Sequence, residues 1–138
     1  MKIAICGSMA FTEQMFQVKE KLEKLGHEAV VSGFGHHYLG KNQEEIEKLK
    51  RYHKHEKDAI REYWVQIQNA DAILVLNYDR KGIANYIGGN TLMEIGFAHV
   101  LAKKIFLLNP VPEIEFYKDE IEATKPVILN GDLDAIKV

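Results

Sequence analysis

Short apolar runs alternate along this chain with longer amphipathic stretches. Lys2 to Cys6, through Ile3-Ala4-Ile5, predicts a short buried strand closed by Gly7. Thr12 stands at an expected helix N-cap, and Phe11 and Phe16 are spaced for a hydrophobic staple across it. Met15, Val18, Leu22 and Leu25 mark one face of that helix, which Gly26 ends. His27 to Ser32, around Ala29-Val30-Val31, reads as a second strand, and Gly33 to Gly40 as a loop. A charged helical stretch follows, from about Asn42 to Asn69. Its inward stripe is Ile46, Leu49, His53, Glu56, Ile60, Tyr63 and Ile67, at alternating spacings of three and four. Two polar members, His53 and Glu56, interrupt the stripe there. They predict a break or a solvent face in preference to a pocket. Ala72 to Asn77 is the clearest buried strand, and a long loop from Tyr78 to Asn90 leads to a helix over Thr91 to Ala102. Lys104 to Asn109 is a fourth strand stopped by Pro110 and Pro112, and Ile114 to Ala123 a short helix. Pro126 to Leu129 reads as a fifth strand, placed at an edge because proline opens it.

Strands alternating with helices imply an α/β fold, a doubly wound parallel sheet covered on both faces. Five strands in the flavodoxin-like order 2-1-3-4-5 fit the chain, as a single domain over residues 1–138. Such sheets bind ligands beyond the carboxyl ends of the strands at the topological switch point, here between the first and third strands. The loops presented there are Gly7-Ser8-Met9-Ala10 and Tyr78 to Asn90.

Composition narrows the classes of function. With a net charge of −2 and no basic stripe interleaved with aromatics, a nucleic-acid polymer is not the expected partner. The apolar runs are too short to span a bilayer, and Met1-Lys2 leads straight into a strand-like segment rather than a signal peptide. A single cysteine cannot form an internal disulfide, so a reducing cytoplasm is the expected compartment. His36-His37 and His53-x-His55-Glu56 invite a metal reading, but His53 and His55, two apart on a helix, do not converge, and neither a His-Glu-x-x-His motif nor a cysteine pair occurs, so no metal is expected. Neither Gly-x-Gly-x-x-Gly nor a P-loop is present, and no cofactor is expected.

The stretch richest in chemistry is Gly88-Gly89-Asn90-Thr91-Leu92-Met93-Glu94-Ile95-Gly96-Phe97-Ala98. Thr91 and Glu94 have the spacing of a capping box, which needs no further chemistry. The two glycines before them are not required by a capping box and point to close approach of backbone to a ligand. On that reading Glu94 lies in the first helical turn, ionised beside the positive helix end, and serves as an anionic nucleophile. Gly7, Ser8 and Met9 form a turn whose amides suit a phosphate or sugar hydroxyl, or serve only as a strand-to-helix turn. Asn77 and Asn109 end strands on the same edge, where they can reach a ribose or base, or satisfy loop backbone. Cys6 reads as a buried, inert thiol.

Taken together, Ile3-Ala4-Ile5-Cys6-Gly7-Ser8, Asn69-Ala70-Asp71 running into Ala72 to Asn77, and Gly89-Asn90-Thr91-Leu92-Met93-Glu94-Ile95-Gly96-Phe97-Ala98 followed by Lys103-Lys104-Ile105-Phe106 resemble the nucleoside 2-deoxyribosyltransferase family. That family includes 2′-deoxynucleoside 5′-monophosphate N-glycosidases, and the resemblance covers most of residues 2 to 110 in order. It implies a flavodoxin-like sheet and cleavage of the bond between a nucleobase and its sugar. Glu94 takes the place of the family nucleophile, forming a covalent glycosyl-enzyme that water or a second base resolves. Gly7, Ser8, Met9, Asn77, Asp79, Gly88, Gly89, Asn90 and Asn109 are the substrate-binding candidates. A small-molecule nucleoside or nucleotide is the implied partner, and a homo-oligomer of dimer size or more the implied assembly.

The chain also departs from the family pattern. The acidic residue expected about eight positions before Ala70-Asp71 is Tyr63 here, which leaves the general acid unassigned. No arginine follows Gly7-Ser8, so a 5′-phosphate would have to be met by Ser8, backbone amides, or Arg80 and Lys81. Two readings result: an N-glycosyl enzyme acting through Glu94, or a non-catalytic nucleotide or nucleotide-sugar sensor on the same scaffold.

Overall fold

Five strands pair in parallel in a computed structural model that describes residues 1–137. They are β1 (Lys2–Gly7), β2 (Glu28–Val30), β3 (Ala72–Leu76), β4 (Lys104–Leu107) and β5 (Val127–Ile128), in the order β2-β1-β3-β4-β5. The order is flavodoxin-like, as the sequence pattern predicts, with β5 at an edge behind Pro126. Every residue of β3 is buried, so both faces of the sheet need cover. Alternating side chains divide the interior in two. Ile3 and Ile5 join Met15, Val18 and Leu22 of α1 (Thr12–Lys24) on one face. Ala4 and Cys6 join Tyr63 and Ile67 of α3 (Ala59–Gln68) and Ile95 and Ala98 of α4 (Gly89–Val100) on the other. Ile121 of α5 (Lys118–Ala123) completes that second core. Among the described residues no helix is long and apolar enough to cross a membrane.

The charged middle stretch is two helices, as the interrupted stripe predicts. Asn42 and Glu45 close a capping box at the start of α2 (Gln43–Glu56), with reciprocal bonds of 2.9 and 3.0 Å. The break follows at Lys57-Asp58. Asp58 turns left-handed, with φ 47°, and its carboxylate accepts from the Arg61 amide at 3.3 Å to start α3. His53, however, does not face solvent. It is buried with its ring stacked on Phe34 at 4.4 Å, while Glu56 is exposed.

Two expected helix starts move. A 3-10 turn, Met9–Phe11, precedes α1, and the Ser8 hydroxyl caps it by accepting from the Ala10 amide at 3.2 Å. Thr12 therefore is not an N-cap; its hydroxyl donates to the Met9 carbonyl instead. The staple does not form either, because Phe11 meets Tyr78 edge-on at 5.2 Å and Phe16 stacks on His36 at 5.0 Å. Helix α4 begins at Gly89 with Gly88 as its N-cap, ahead of Thr91. The Thr91–Glu94 capping box is thus absent, and Glu94 sits beyond the first turn.

The carboxyl edge of the sheet is closed by its own residues. Gly7 ends β1 at φ 152°, and a Cβ there would lie 3.0 Å from the Leu76 carbonyl oxygen, so only glycine lets the two strand ends meet. Asn77 and Asn109, candidates for ligand contact in the sequence, clasp one another across β3 and β4. The Asn77 amide donates to the carbonyls of Asn109 (2.8 Å) and Pro110 (3.0 Å). Its oxygen accepts from the Asn109 amide N–H at 2.9 Å, and the Asn109 side chain donates to the Asn77 carbonyl at 3.2 Å. Parallel strands that end together leave these backbone groups without ladder partners, and the clasp supplies them. Asn77→Ala should orphan three partly buried backbone groups and lower unfolding free energy by about 1–3 kcal/mol. Urea denaturation of parent and variant checks this; a loss under about 0.5 kcal/mol would refute the clasp.

Candidate functional site

Beyond the carboxyl end of β1 lies a narrow cleft with a cavity volume of about 40 Å³, walled by the β1 turn, the loop after β2, and helices α2, α3 and α4. This is the switch-point side of the sheet. Cys6, Gly7, Met9, Asn90 and Glu94 line it, together with Ser32, Phe34, Tyr38, Lys50, His53, Lys54, Ala59 and Tyr63. Of the residues singled out in the sequence, the cleft therefore gathers Gly7, Met9, Asn90 and Glu94. Ser8 is occupied in its turn. Gly88 and Gly89 form the helix start behind the lining; Gly88 passes under the Tyr86 hydroxyl, where a Cβ would approach to 3.0 Å. Asp79 is exposed and ties its own loop, accepting from the Asn85 amide at 2.9 Å. Asn77 and Asn109 are held in the clasp.

Glu94 reaches the cleft because of its helical phase. Thr91, Glu94, Ile95 and Ala98 are the buried positions of α4, spaced as one inward stripe. The carboxyl is thus set among apolar neighbours of the second core, and the side chain is 7% exposed. Burial pushes its pKa up to about 8, the nearby Glu62 carboxylate adds to the rise, and the Cys6 thiol beside it pulls the other way. The expected picture of a carboxylate held ionised by a helix N-terminus is overturned: among the described residues no ion pair involves Glu94. Cys6 is raised well above the usual thiol range, by burial first and by Glu94 second, which makes it an inert neighbour.

Further titratable groups lie near the carboxyl or on the cleft wall. Glu62, on the first turn of α3, carries a buried Oε2 without a hydrogen-bond donor. Its sequence neighbour Tyr63, at the position of the family acid, is occupied structurally: its hydroxyl donates to the carbonyls of Ile5 and Val30. His53 shares hydrogen bonds with the Tyr38 hydroxyl (2.7 Å) and His37 (3.2 Å), and burial followed by the charges of His37 and Lys57 lowers its pKa. Lys50 and Lys54 bring positive charge to the outer wall. The signal for His53 was present in its phase on the stripe; Glu62 lies one residue off that stripe and gave none. Asp71 is structural, accepting from the Lys2 amide at 2.7 Å. Among the described residues no cluster of three or more His, Cys, Asp or Glu side chains is placed to hold a metal.

No protein-family model matches the chain, and no curated protein matches it.

The buried carboxyl has a consequence for stability. Its folded pKa, about 8, lies above the 4.5 of an ordinary glutamate, so the folded state binds the extra proton. The stabilisation is complete below pH about 4.5 and is lost as pH rises through 8. Glu94→Gln keeps the shape without the charge. Its melting temperature should match the parent near pH 5 and exceed it at pH 9 by the order of 10 °C, since each tenfold change in ionisation is worth about 1.4 kcal/mol. Thermal melts across that range check the sign; equal melting at pH 9 refutes it.

Proposed function

We propose that the protein acts on the N-glycosidic bond of a nucleoside or nucleotide, with Glu94 as the nucleophile. The observation that carries this reading is the placement of a buried carboxyl on the wall of the switch-point cleft, beside a backbone turn that admits close approach at Gly7. The ionised carboxylate attacks the anomeric carbon. The carbon–nitrogen bond breaks, its electron pair leaves with the base, and the base takes up a proton at a ring nitrogen. The glycosyl ester is then opened by water, giving hydrolysis, or by a second base, giving transfer. His53, on the wall of the same cleft, is a titratable group that can exchange the proton.

A carboxyl with a pKa of about 8 is ionised in only about one molecule in ten at pH 7. That favours a second reading, in which a neutral Glu94 donates a hydrogen bond in a nucleotide-sensing module without turnover. The two readings separate on base release. The glycosyl enzyme should free base from at least one member of a panel of nucleosides and monophosphates, followed by chromatography, and Glu94→Gln should lower the rate at least ~10³-fold with the fold retained. The rate of the parent should climb with pH toward an apparent pKa of about 8. Binding without base release establishes the sensor; base release by Glu94→Gln at the parent rate removes Glu94 from the chemistry.

A further inference from the structure

We propose that residues 33–40 form a lid over the cleft, held shut by His53 and lifted when a ligand enters. The inference rests on reading the cleft as a ligand site, and not on which bond is cleaved there. The cavity beside Glu94 measures about 40 Å³. A water molecule takes up roughly 30 Å³ of liquid, and pockets for organic ligands run from roughly 300 to 1,000 Å³. Cys6, which lines the cavity, is 1% exposed, and Glu94 7%. A molecule of nucleoside size therefore reaches Glu94 only after a wall has moved.

Most of the walls are held from behind. Strand β1 lies inside the sheet, between β2 and β3. Helices α3 and α4 send Tyr63, Ile67, Ile95 and Ala98 into the second core. Helix α2 is tied to the loop after β3 through Glu47, whose Oε1 lies 3.2 Å from Arg80 Nη2 and 3.6 Å from Lys81 Nζ. The segment from Gly33 to Gly40 differs. Among the described residues its backbone hydrogen bonds all stay within residues 32–41, around a 3-10 turn at Gly35–Tyr38. The amides of Gly35, His37 and Lys41 donate to the carbonyls of Ser32 (2.9 Å), Phe34 (3.1 Å) and Tyr38 (3.3 Å), and the Phe34 amide to the Ser32 hydroxyl (3.2 Å). The segment is thus closed on itself and can move as one piece, with Gly33 and Gly40 (φ 74°) at its ends.

Side chains attach this segment to the body in two places. Away from the cleft, Gly35 packs against Phe16 of α1, and His36 stacks on the same ring at 5.0 Å. Over the cleft, one residue of α2 holds three of the segment's side chains. The His53 ring stacks on Phe34 at 4.4 Å, its Nδ1 shares a hydrogen bond with the Tyr38 hydroxyl at 2.7 Å, and its Nε2 shares one with His37 Nδ1 at 3.2 Å. Phe34 and Tyr38 are the members of the segment that line the cavity, so their release from His53 opens it, with Phe16 as the pivot. Two hydrogen bonds and one ring stack are a small attachment, suited to local opening without global unfolding. A polar latch also parts more readily than an apolar core, because each partner regains hydrogen bonds to water once they separate.

Cys6 is the single cysteine of the chain and lies behind this segment, so its labelling reports opening. The probe is a small methanethiosulfonate in excess at pH 8, with adducts counted by mass spectrometry. His53→Phe keeps a ring against Phe34 and removes both hydrogen bonds; the labelling rate should rise at least about tenfold over the parent. Tyr38→Phe and His37→Ala remove one hydrogen bond each and should raise it about threefold to fivefold. These milder variants decide the matter if His53→Phe does not fold. Urea denaturation of each variant separates lid opening from global unfolding. A rise in rate larger than the change in the unfolding equilibrium constant supports the lid. Equal rates in parent and variants, rises that only match the loss of global stability, or a parent thiol that labels as fast as in the unfolded chain overturn it. Neither measurement involves a substrate. Their failure overturns the lid and leaves the glycosidic reading standing, whereas absence of base release by the parent overturns the glycosidic reading and leaves the lid.

Discussion

A carboxyl group taken out of water must be paired, protonated or held at a cost, and the cleft is organised around one that is not paired. Glu94 occupies the inward stripe of α4, where every other member is neutral: Thr91, Ile95 and Ala98. The helix cannot turn Glu94 outward without exposing Ile95 and Ala98, which lie in the core against β1 and β3. Packing of α4 on the sheet therefore sets the position of the carboxyl, and its position sets its protonation. Burial is the larger cause and Glu62 the reinforcing one.

Several polar residues of the surrounding edge are taken up by the fold itself, whereas this carboxyl stands on the cleft wall. Asn77 and Asn109 satisfy the backbone where β3 and β4 stop, and Ser8 satisfies the turn after β1. Tyr63 bridges the carbonyls of Ile5 and Val30, tying α3 to both β1 and the end of β2. These hydrogen bonds explain why several polar residues at the binding edge do not reach the cleft.

The fold was legible because its strands are buried on both faces and the helices between them carry clean stripes. Order 2-1-3-4-5 follows from that alternation once crossovers pack helices on both sides. Glu94 was legible as a position but not in its state. The sequence pattern reads the glycines before it as a loop, whereas Gly89 is already helical, so the carboxyl lies about one turn deeper than a first-turn position. The stripe 91, 94, 95, 98 was nonetheless in the sequence and signals burial. The asparagine clasp was not, because it depends on two strand ends stopping side by side 32 residues apart. Nor was the burial of Arg80, whose partner Glu47 lies 33 residues away on another element. His53 was placed on the inward stripe by its spacing and set aside for its polarity; in the fold the polarity is met by Tyr38 and His37.

Charge is unevenly distributed across the cleft, and the asymmetry is the physical content of the functional reading. Lys50 and Lys54 stand on its wall, while Glu94, on the same cleft, has the carboxylate of Glu62 nearby and no cation paired to it among the described residues. Lys50, Arg80 and Lys81 share the Glu47 carboxylate, whereas the buried Glu94 carboxyl has no cation and its pKa is raised. On the proposed reading, positive charge develops on the sugar carbon against an ionised Glu94 as the bond to the base stretches. A site that is uncompensated toward the ground state and compensated toward the stretched bond binds the transition state in preference to the substrate. The same raised pKa that argues for a neutral, sensing carboxyl therefore also fits catalysis. A desolvated carboxylate without a resident counter-ion gains most when a cation develops against it, because little water screens the pair.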